Sequence, residues 1–480
     1  MALSANVTRS TGAGGGNRPS SHSADNFPGR RRSTPARLTR QTPSRWECVR
    51  RRGVLCMTDG RRLDYNLVET TLDNGLRVCV QPDPVAPAVA VNIWYEVGSF
   101  DEDPTRTGFA HLFEHLMFQG SNNVASGEHM ALVEANGGSV NATTSTDRTN
   151  YFETVPRGAL DLALWLEADR MSSLAITAEN FAAQREVVKE EKRQRYDNQP
   201  YGDLLELLVA QHFPADHPYG HLPIGSMAHL DDATLDDVQQ FFDDWYRPSN
   251  ARLVLSGPVE ADEAFDLAQR YLGQVPRRDR PDHATAPVPA LPSRDTTTHG
   301  NVPHPLVYLS WNTPPAAHDD HLPLDMALSI LADGHTSRLH KAVVRSRRLA
   351  AEVHAASLPH LRSTSITTLM ARPTDGISTD VTAAALVEEL ARFAEGGPTD
   401  EELARAIAQY ERDWLLQLAT VEGRSDLLND AWLTFGTPGH VNQHAAELAA
   451  LNVDVVRDAV RTHLLATPST LHYLPSEVSL

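Results

Sequence analysis

From residue 60 onward the hydrophobic positions switch repeatedly between a two-residue and a 3.6-residue period. Val68 to Val80 alternates and breaks at Asn74-Gly75, a dipeptide that predicts a hairpin with a type I′ turn. Ala88 to Tyr95 predicts a further strand. Helices are expected over 107–118 and 127–136, and strands over 139–145 and 149–155. Pro156 to Met171 reads as a long amphipathic helix carrying Leu160 and Leu164 on its apolar side. A charged helix over 178–195, a helix over 234–245 and a strand at Ala251–Leu255 close this half.

A Pro-, Ala- and Thr-rich stretch over 276–302 then interrupts the pattern and marks a linker. Beyond it come a strand at Val307–Trp311, a helix at Pro323–Leu331 and a strand at Ile366–Ala371. Helices follow over 378–395, 400–422 and 452–464. The order echoes the first half and suggests duplication. The expected organisation is therefore a tail over 1–60, a first domain over 61–275, the linker, and a second domain over 303–480.

Composition adds charge asymmetry to this picture. The net charge of -19 conceals a basic tail: residues 1–56 hold 11 Lys and Arg against 2 Asp and Glu. That tail is rich in Ser, Thr, Gly, Pro and Arg and is expected to be disordered, with Met57 an alternative start. It lacks the apolar core of a secretory signal. No run of 18 apolar residues predicts a membrane span. The expected location is the cytoplasm, or an organelle if the Arg-rich tail is a transit peptide. The acidic remainder argues against nucleic acid as a partner and is compatible with basic peptides. Three cysteines, Cys48, Cys56 and Cys79, form neither a disulfide framework nor a C-x-x-C site, so any metal must be held by His and carboxylate.

The candidate chemistry lies in His111-Leu112-Phe113-Glu114-His115, an H-x-x-E-H motif. Residues four apart share a helix face, so His111 and His115 can reach one metal ion, with Glu114 beside them to handle a proton on water. The flanking Ala110, Leu112, Phe113, Leu116, Met117 and Phe118 are apolar, and ionisable groups in such a setting need partners. A catalytic zinc takes three protein ligands plus water. The third is expected on the charged helix, where periodicity does not choose between Glu186, Glu190 and Glu191. His212, His217 and His221 lie in a Pro/Gly-rich loop whose spacing suits no helix face, and are not read as a second metal site.

HLFEH together with QREVVKEEKRQRYDNQPYG resembles the pitrilysin/insulinase family of zinc peptidases, the inverzincins. The likeness is to the half-length bacterial and mitochondrial-processing-peptidase-like members. Val97-Gly98-Ser99, Arg106 to Ala110, Gly137 to Ala142, Asp147 to Tyr151, His217 to Gly220 and Tyr246 to Ala251 extend it over roughly residues 60 to 475. The resemblance implies an α+β chain of two homologous α/β domains, each a mainly antiparallel sheet with helices on one face, in the metallopeptidase LuxS-like fold. It implies one Zn²⁺ per chain on His111, His115 and Glu191, with Glu114 as general base. Gln184 stands where many members carry a supporting Glu, so that role is not transferred.

The same resemblance implies a zinc metalloendopeptidase acting on peptides or unfolded segments. Substrate would add as a strand to the segment holding Asn141, Ala142 and Thr143. Paired halves of this family place an Arg and a Tyr opposite the metal; here Arg338 is present but the Tyr position is an alanine within Leu349-Ala350-Ala351. Arg338 is accordingly read as structural. The implied assembly is a dimer with a metal-free homologous subunit that supplies the Arg/Tyr pair. The alternatives are a catalytically silent scaffold subunit, or a dedicated leader-peptide or presequence protease.

Overall fold

A computed structural model describes Leu3–Ser4 and residues 63–476. Apart from Leu3–Ser4, the expectation of a disordered tail over 1–60 lies outside the described residues, as do Cys48 and Cys56. Cys79 is a buried free thiol.

The first sheet comprises β1 (Leu3–Ser4), β2 (Val68–Thr71), β3 (Arg77–Pro82), β4 (Val89–Tyr95), β5 (Ser139–Thr144), β6 (Thr149–Val155) and β7 (Ala251–Gly257). Their spatial order is β1-β5-β6-β4-β7-β3-β2, antiparallel except for β3 beside β7. Its helices are α1 (Phe109–Leu116), α2 (Glu128–Ala135), α3 (Leu160–Ser173), α4 (Ala178–Lys192), α5 (Leu204–His212), α6 (Met227–Asp232), α7 (Leu235–Trp245) and α8 (Ala261–Tyr271).

The second sheet comprises β8 (Asp295–Gly300), β9 (Leu306–Thr313), β10 (Ala350–Leu358), β11 (Ser365–Pro373) and β12 (Ser469–Pro475), in the order β10-β11-β9-β12-β8. Only β8 and β12 are parallel. Its helices are α9 (His321–Ala332), α10 (Thr379–Gly396), α11 (Asp400–Leu418), α12 (Val421–Phe435), α13 (His444–Ala450) and α14 (Val453–His463). The chain thus folds as two α/β domains, each a mainly antiparallel sheet with its own buried apolar core.

Three boundaries differ from expectation. Asp295–Gly300 pairs with β12, so the irregular connection is shorter than 276–302. The helix expected over 400–422 ends at Leu418, because Thr420 caps a new helix by accepting the Gly423 amide at 3.0 Å. The hairpin at Asn74-Gly75 is not a two-residue type I′ turn, which needs positive φ at both residues. Gly75 is left-handed at φ +93° and Asn74 is not. Asn74 instead turns its amide inward to the carbonyls of Leu272 (2.8 Å) and Val275 (3.0 Å), leaving Asp73-Asn74-Gly75 as a three-residue loop closed by Leu72 N–H to Leu76 C=O.

Every residue of β4 and β7 is buried. One face carries the first domain's own helices. The other receives α12 of the second domain, where Asn429 donates to the Asn92 carbonyl at 3.1 Å and Ser425 meets the Asn92 amide at 3.3 Å. Trp414, Trp432, Val254 and Cys79 form an apolar cluster across this junction.

Candidate metal centre

The helix α1 begins at Gly108, which is left-handed at φ +101° and brings the chain out of a tight approach to Gly225. Its first amides are met by a buried carboxylate: Glu102 accepts from Gly108 N at 2.9 Å and Ala110 N at 2.7 Å, and His221 Nε2 lies 2.9 Å from the same group. A negative group here offsets the unpaired N–H groups and the positive helix end.

One turn along, His111 (2 % exposed) and Glu114 (4 % exposed) sit inside the fold. His111 Nε2 lies 3.7 Å from Glu191 Oε2, and His115 Nε2 lies 3.3 Å from the same oxygen. One ligand atom from each residue falls within 4.8 Å of the others. Tetrahedral ligands with bonds near 2.0–2.1 Å stand about 3.3 Å apart, so the spacing suits one zinc-sized cation. His115 Nε2 and His111 Nδ1 are buried without a hydrogen-bond partner. Burial, reinforced by His115, holds His111 down to about 4, in the neutral form that binds metals. Burial pushes the Glu191 carboxyl up, but His115, His111 and Arg195 outweigh it and hold it below its ordinary value.

Tertiary packing separates the three glutamates that periodicity left open. The side chain of Glu186 is 57 % exposed beside Arg185 and Lys189, and that of Glu190 is 53 % exposed beside Arg193 and Gln194. Glu191 alone turns to the histidines, and Arg195 fixes its second oxygen at 2.9 Å. Glu114 is oriented by Thr144, whose hydroxyl donates to Oε2 at 2.6 Å; burial raises the Glu114 pKa. Thr144 and Arg195 escaped the sequence reading. Thr144 sits one residue past Asn141–Thr143, and only the fold shows that it faces the metal helix.

Asn141, Ala142 and Thr143 lie on β5 as expected, but Ala142 and Thr143 are buried. Thr143 Oγ1 donates to Asn150 Oδ1 at 2.5 Å, and the Asn141 side chain folds back on the Ala142 amide at 2.9 Å. What β5 offers outward is main chain, and Leu3–Ser4 pairs antiparallel there against Thr144 and Thr143. A cavity of 1210 Å³ opens beside the site, lined by Thr144, Arg195 and Tyr196 from the first domain and by Tyr410, Asp426 and Asp430 from the second.

The three histidines expected in a loop do not converge, and His212 is the last residue of α5. His212 meets Asn312 and Ser310, His217 meets the Pro287 carbonyl, and His221 meets Glu102. Arg338 is engaged with Glu402 at 2.6 Å, the Gly397 carbonyl at 2.8 Å and the Phe393 ring. A different group does cluster: His129, Glu153 and Glu167 also fall within 4.8 Å of one another, fully buried. His129 Nε2 lies 2.6 Å from Glu153 Oε1, and Arg170 grips Glu167 through two nitrogens.

Two family models cover most of the folded chain. Residues 77–221 match the insulinase (peptidase family M16) model, and residues 232–410 match the peptidase M16 inactive domain. Zinc protease PqqE of Helicobacter pylori is 30% identical over 368 residues, covering 75% of this chain and 82% of that protein. The chain belongs to the insulinase family, peptidase family M16. An uncharacterized zinc protease of Mycobacterium tuberculosis is 28% identical over 83% of this chain and 90% of its own length. The crystal structure of a protease from Helicobacter pylori superposes with a TM-score of 0.79 at 27% identity, covering 86% of this chain and all of that one. The periplasmic protease PqqL from Escherichia coli shares the fold (TM-score 0.68, 19% identity), with 87% of this chain matching 48% of that longer chain. The family is one of zinc peptidases with two homologous domains, in agreement with the resemblance in the HLFEH and Glu191 segments.

Proposed function

We propose that this chain is a zinc-dependent endopeptidase in which His111, His115 and Glu191 hold one Zn²⁺ and Glu114 is the general base. The observation that carries the reading is the convergence of three ligand atoms within 4.8 Å, one turn from a carboxylate held by Thr144. Bound there, zinc would supply a Lewis acid that polarises a peptide carbonyl and makes water more acidic. Glu114 takes the proton from the attacking water and returns it to the leaving amine. Thr144 keeps one carboxylate oxygen occupied, so the other is left for the proton. Arg195 does the equivalent for Glu191, leaving Oε2 for the cation.

Substrate is read as an added antiparallel strand on β5 at Asn141, Ala142 and Thr143, with affinity coming from main-chain pairing. The pairing of Leu3–Ser4 with Thr144 and Thr143 supports this edge as an acceptor. A metal-free homologous subunit is the proposed partner, because Arg338 is committed to Glu402 and the chain matches about half of a longer relative. The test measures bound zinc and peptide cleavage in wild type and Glu114→Gln, each with and without such a subunit. One equivalent of zinc with cleavage abolished in the variant is expected. Cleavage by Glu114→Gln at the wild-type rate would sink the mechanism. Zinc binding without cleavage in any wild-type combination would favour the scaffold role.

A further inference from the structure

The second domain reaches the supports of the metal centre through a cation, Arg362, in the turn between β10 and β11. Its guanidinium contacts Asp101 and lies 3.8 Å from Asp147, stacked 4.8 Å over Phe100. Both carboxylates are buried, and each begins a segment that ends at the site. Asp101 accepts from Gly98 N at 3.1 Å and immediately precedes Glu102, which caps the metal helix. Asp147 lies in the β5–β6 turn, three residues past Thr144, which orients Glu114. The two segments are themselves joined by Phe100 N to Thr146 C=O at 2.9 Å.

Tyr219 seats the cation. Its hydroxyl donates to Asp147 Oδ1 at 2.6 Å and accepts the backbone amides of Leu361 (3.2 Å) and Arg362 (3.0 Å), while its ring stacks on His360 with centroids 4.0 Å apart. The groups facing Arg362 are thus two buried carboxylates, with His283 Nδ1 3.1 Å from the same Asp101 oxygen. Removing the cation would leave two carboxylates facing each other in low dielectric, at the hinge of both segments.

We infer that Arg362, seated by Tyr219, is a positioning residue through which the second domain fixes the metal helix and the Thr144–Glu114 contact in register. The inference rests on the zinc reading above. It is tested in the full chain with Arg362→Gln, Arg362→Lys and Tyr219→Phe, using Arg338→Gln as the comparator for an ion pair that stays within the second domain. Zinc release to a chelator is expected to quicken about fivefold in Arg362→Gln, as when groups supporting metal ligands are lost. Its kcat is expected to fall about tenfold with KM within about twofold, since misplacing the base costs rate rather than binding.

Arg362→Lys should fall between wild type and Arg362→Gln. Asp101→Asn added to Arg362→Gln should cost no more than Arg362→Gln alone. If Arg362→Gln does not fold, Arg362→Lys and Tyr219→Phe carry the same expectations at smaller size. A lowered melting temperature with zinc release and kcat unchanged, the pattern expected for Arg338→Gln, would overturn the inference. Should wild type cleave no peptide, the catalytic reading fails, and the zinc-release comparison alone decides the role of Arg362.

Discussion

Two clusters of ionisable side chains lie in the first domain, one partly and one fully buried, and by geometry alone both could hold a metal. His111, His115 and Glu191 bring two bases and one carboxylate together with orphaned imidazole nitrogens and a cavity alongside. His129, Glu153 and Glu167 bring one base and two carboxylates together, but Arg170 is there too, stacked 4.4 Å over Tyr151. The hydrogen bond between His129 and Glu153 and the grip of Arg170 on Glu167 already satisfy these groups, so the second cluster needs no cation from outside. In the first, Arg195 offsets the Glu191 carboxylate, but an imidazole nitrogen of each histidine has no hydrogen-bond partner. Buried polar groups need partners, and what separates the two clusters is whether the imidazoles already have one: His129 is bonded to Glu153, whereas nitrogens of His111 and His115 are left open.

The sharpest way to break this comparison is at the first cluster. Glu114→Gln keeps zinc and loses cleavage by roughly 10²–10⁴-fold, the usual worth of general base catalysis, measured as kcat/KM on an unfolded peptide. Glu191→Gln or His111→Ala lowers zinc content below one equivalent, whereas Glu153→Gln leaves it at one. Metal analysis returning two equivalents for wild type would refute the distinction.

The second cluster is broken through its cation. Arg170→Met strands two carboxylates and should cost about 3–5 kcal/mol in denaturant unfolding, with zinc content unchanged. Thr144→Val is smaller: loss of one hydrogen bond to a charged group, about 1.5–3 kcal/mol, lowers kcat by roughly ten- to a hundredfold without displacing zinc.

The smallest effect is on pH. Burial pushes both Glu153 and Glu167 up to about 7, so the folded chain keeps protons that the unfolded chain releases near its ordinary carboxylate pKa. Stability from these groups is present below that unfolded pKa and lost as pH rises through about 7. Burial holds His129 down to about 3, which acts in the opposite sense below its ordinary value of 6.5 and partly cancels the slope there. The net fall should therefore run from about pH 5.5 to 7 and level off above it, and Glu153→Gln should flatten it in urea titrations run across that range.

Much of this was legible in one dimension because the information is local. The spacing of His111, Glu114 and His115 fixes a shared helix face whatever the rest of the chain does. Strands such as Val89–Tyr95 and Thr149–Val155 and helices such as Leu235–Trp245 announce themselves by period and capping residues. Less legible was everything set by neighbours distant in sequence. The Asn74 turn changed type because its amide found carbonyls about 200 residues away. Asp295–Gly300 reads as linker by composition and becomes a strand only because β12 lies beside it.

The sequence by itself determined the chemistry on offer: two imidazoles and a carboxylate on one turn of helix, three glutamates on another, and a family likeness that singled out Glu191. Only the tertiary structure decided which groups meet. It turned Glu191 inward and left Glu186 and Glu190 in solvent, set Thr144 against Glu114, gave His129 and its glutamates their own arginine, and brought Arg362 across from the second domain. The reason is physical: period and propensity act over a few residues, whereas the cost of burying a charge is settled by whatever the whole fold packs against it.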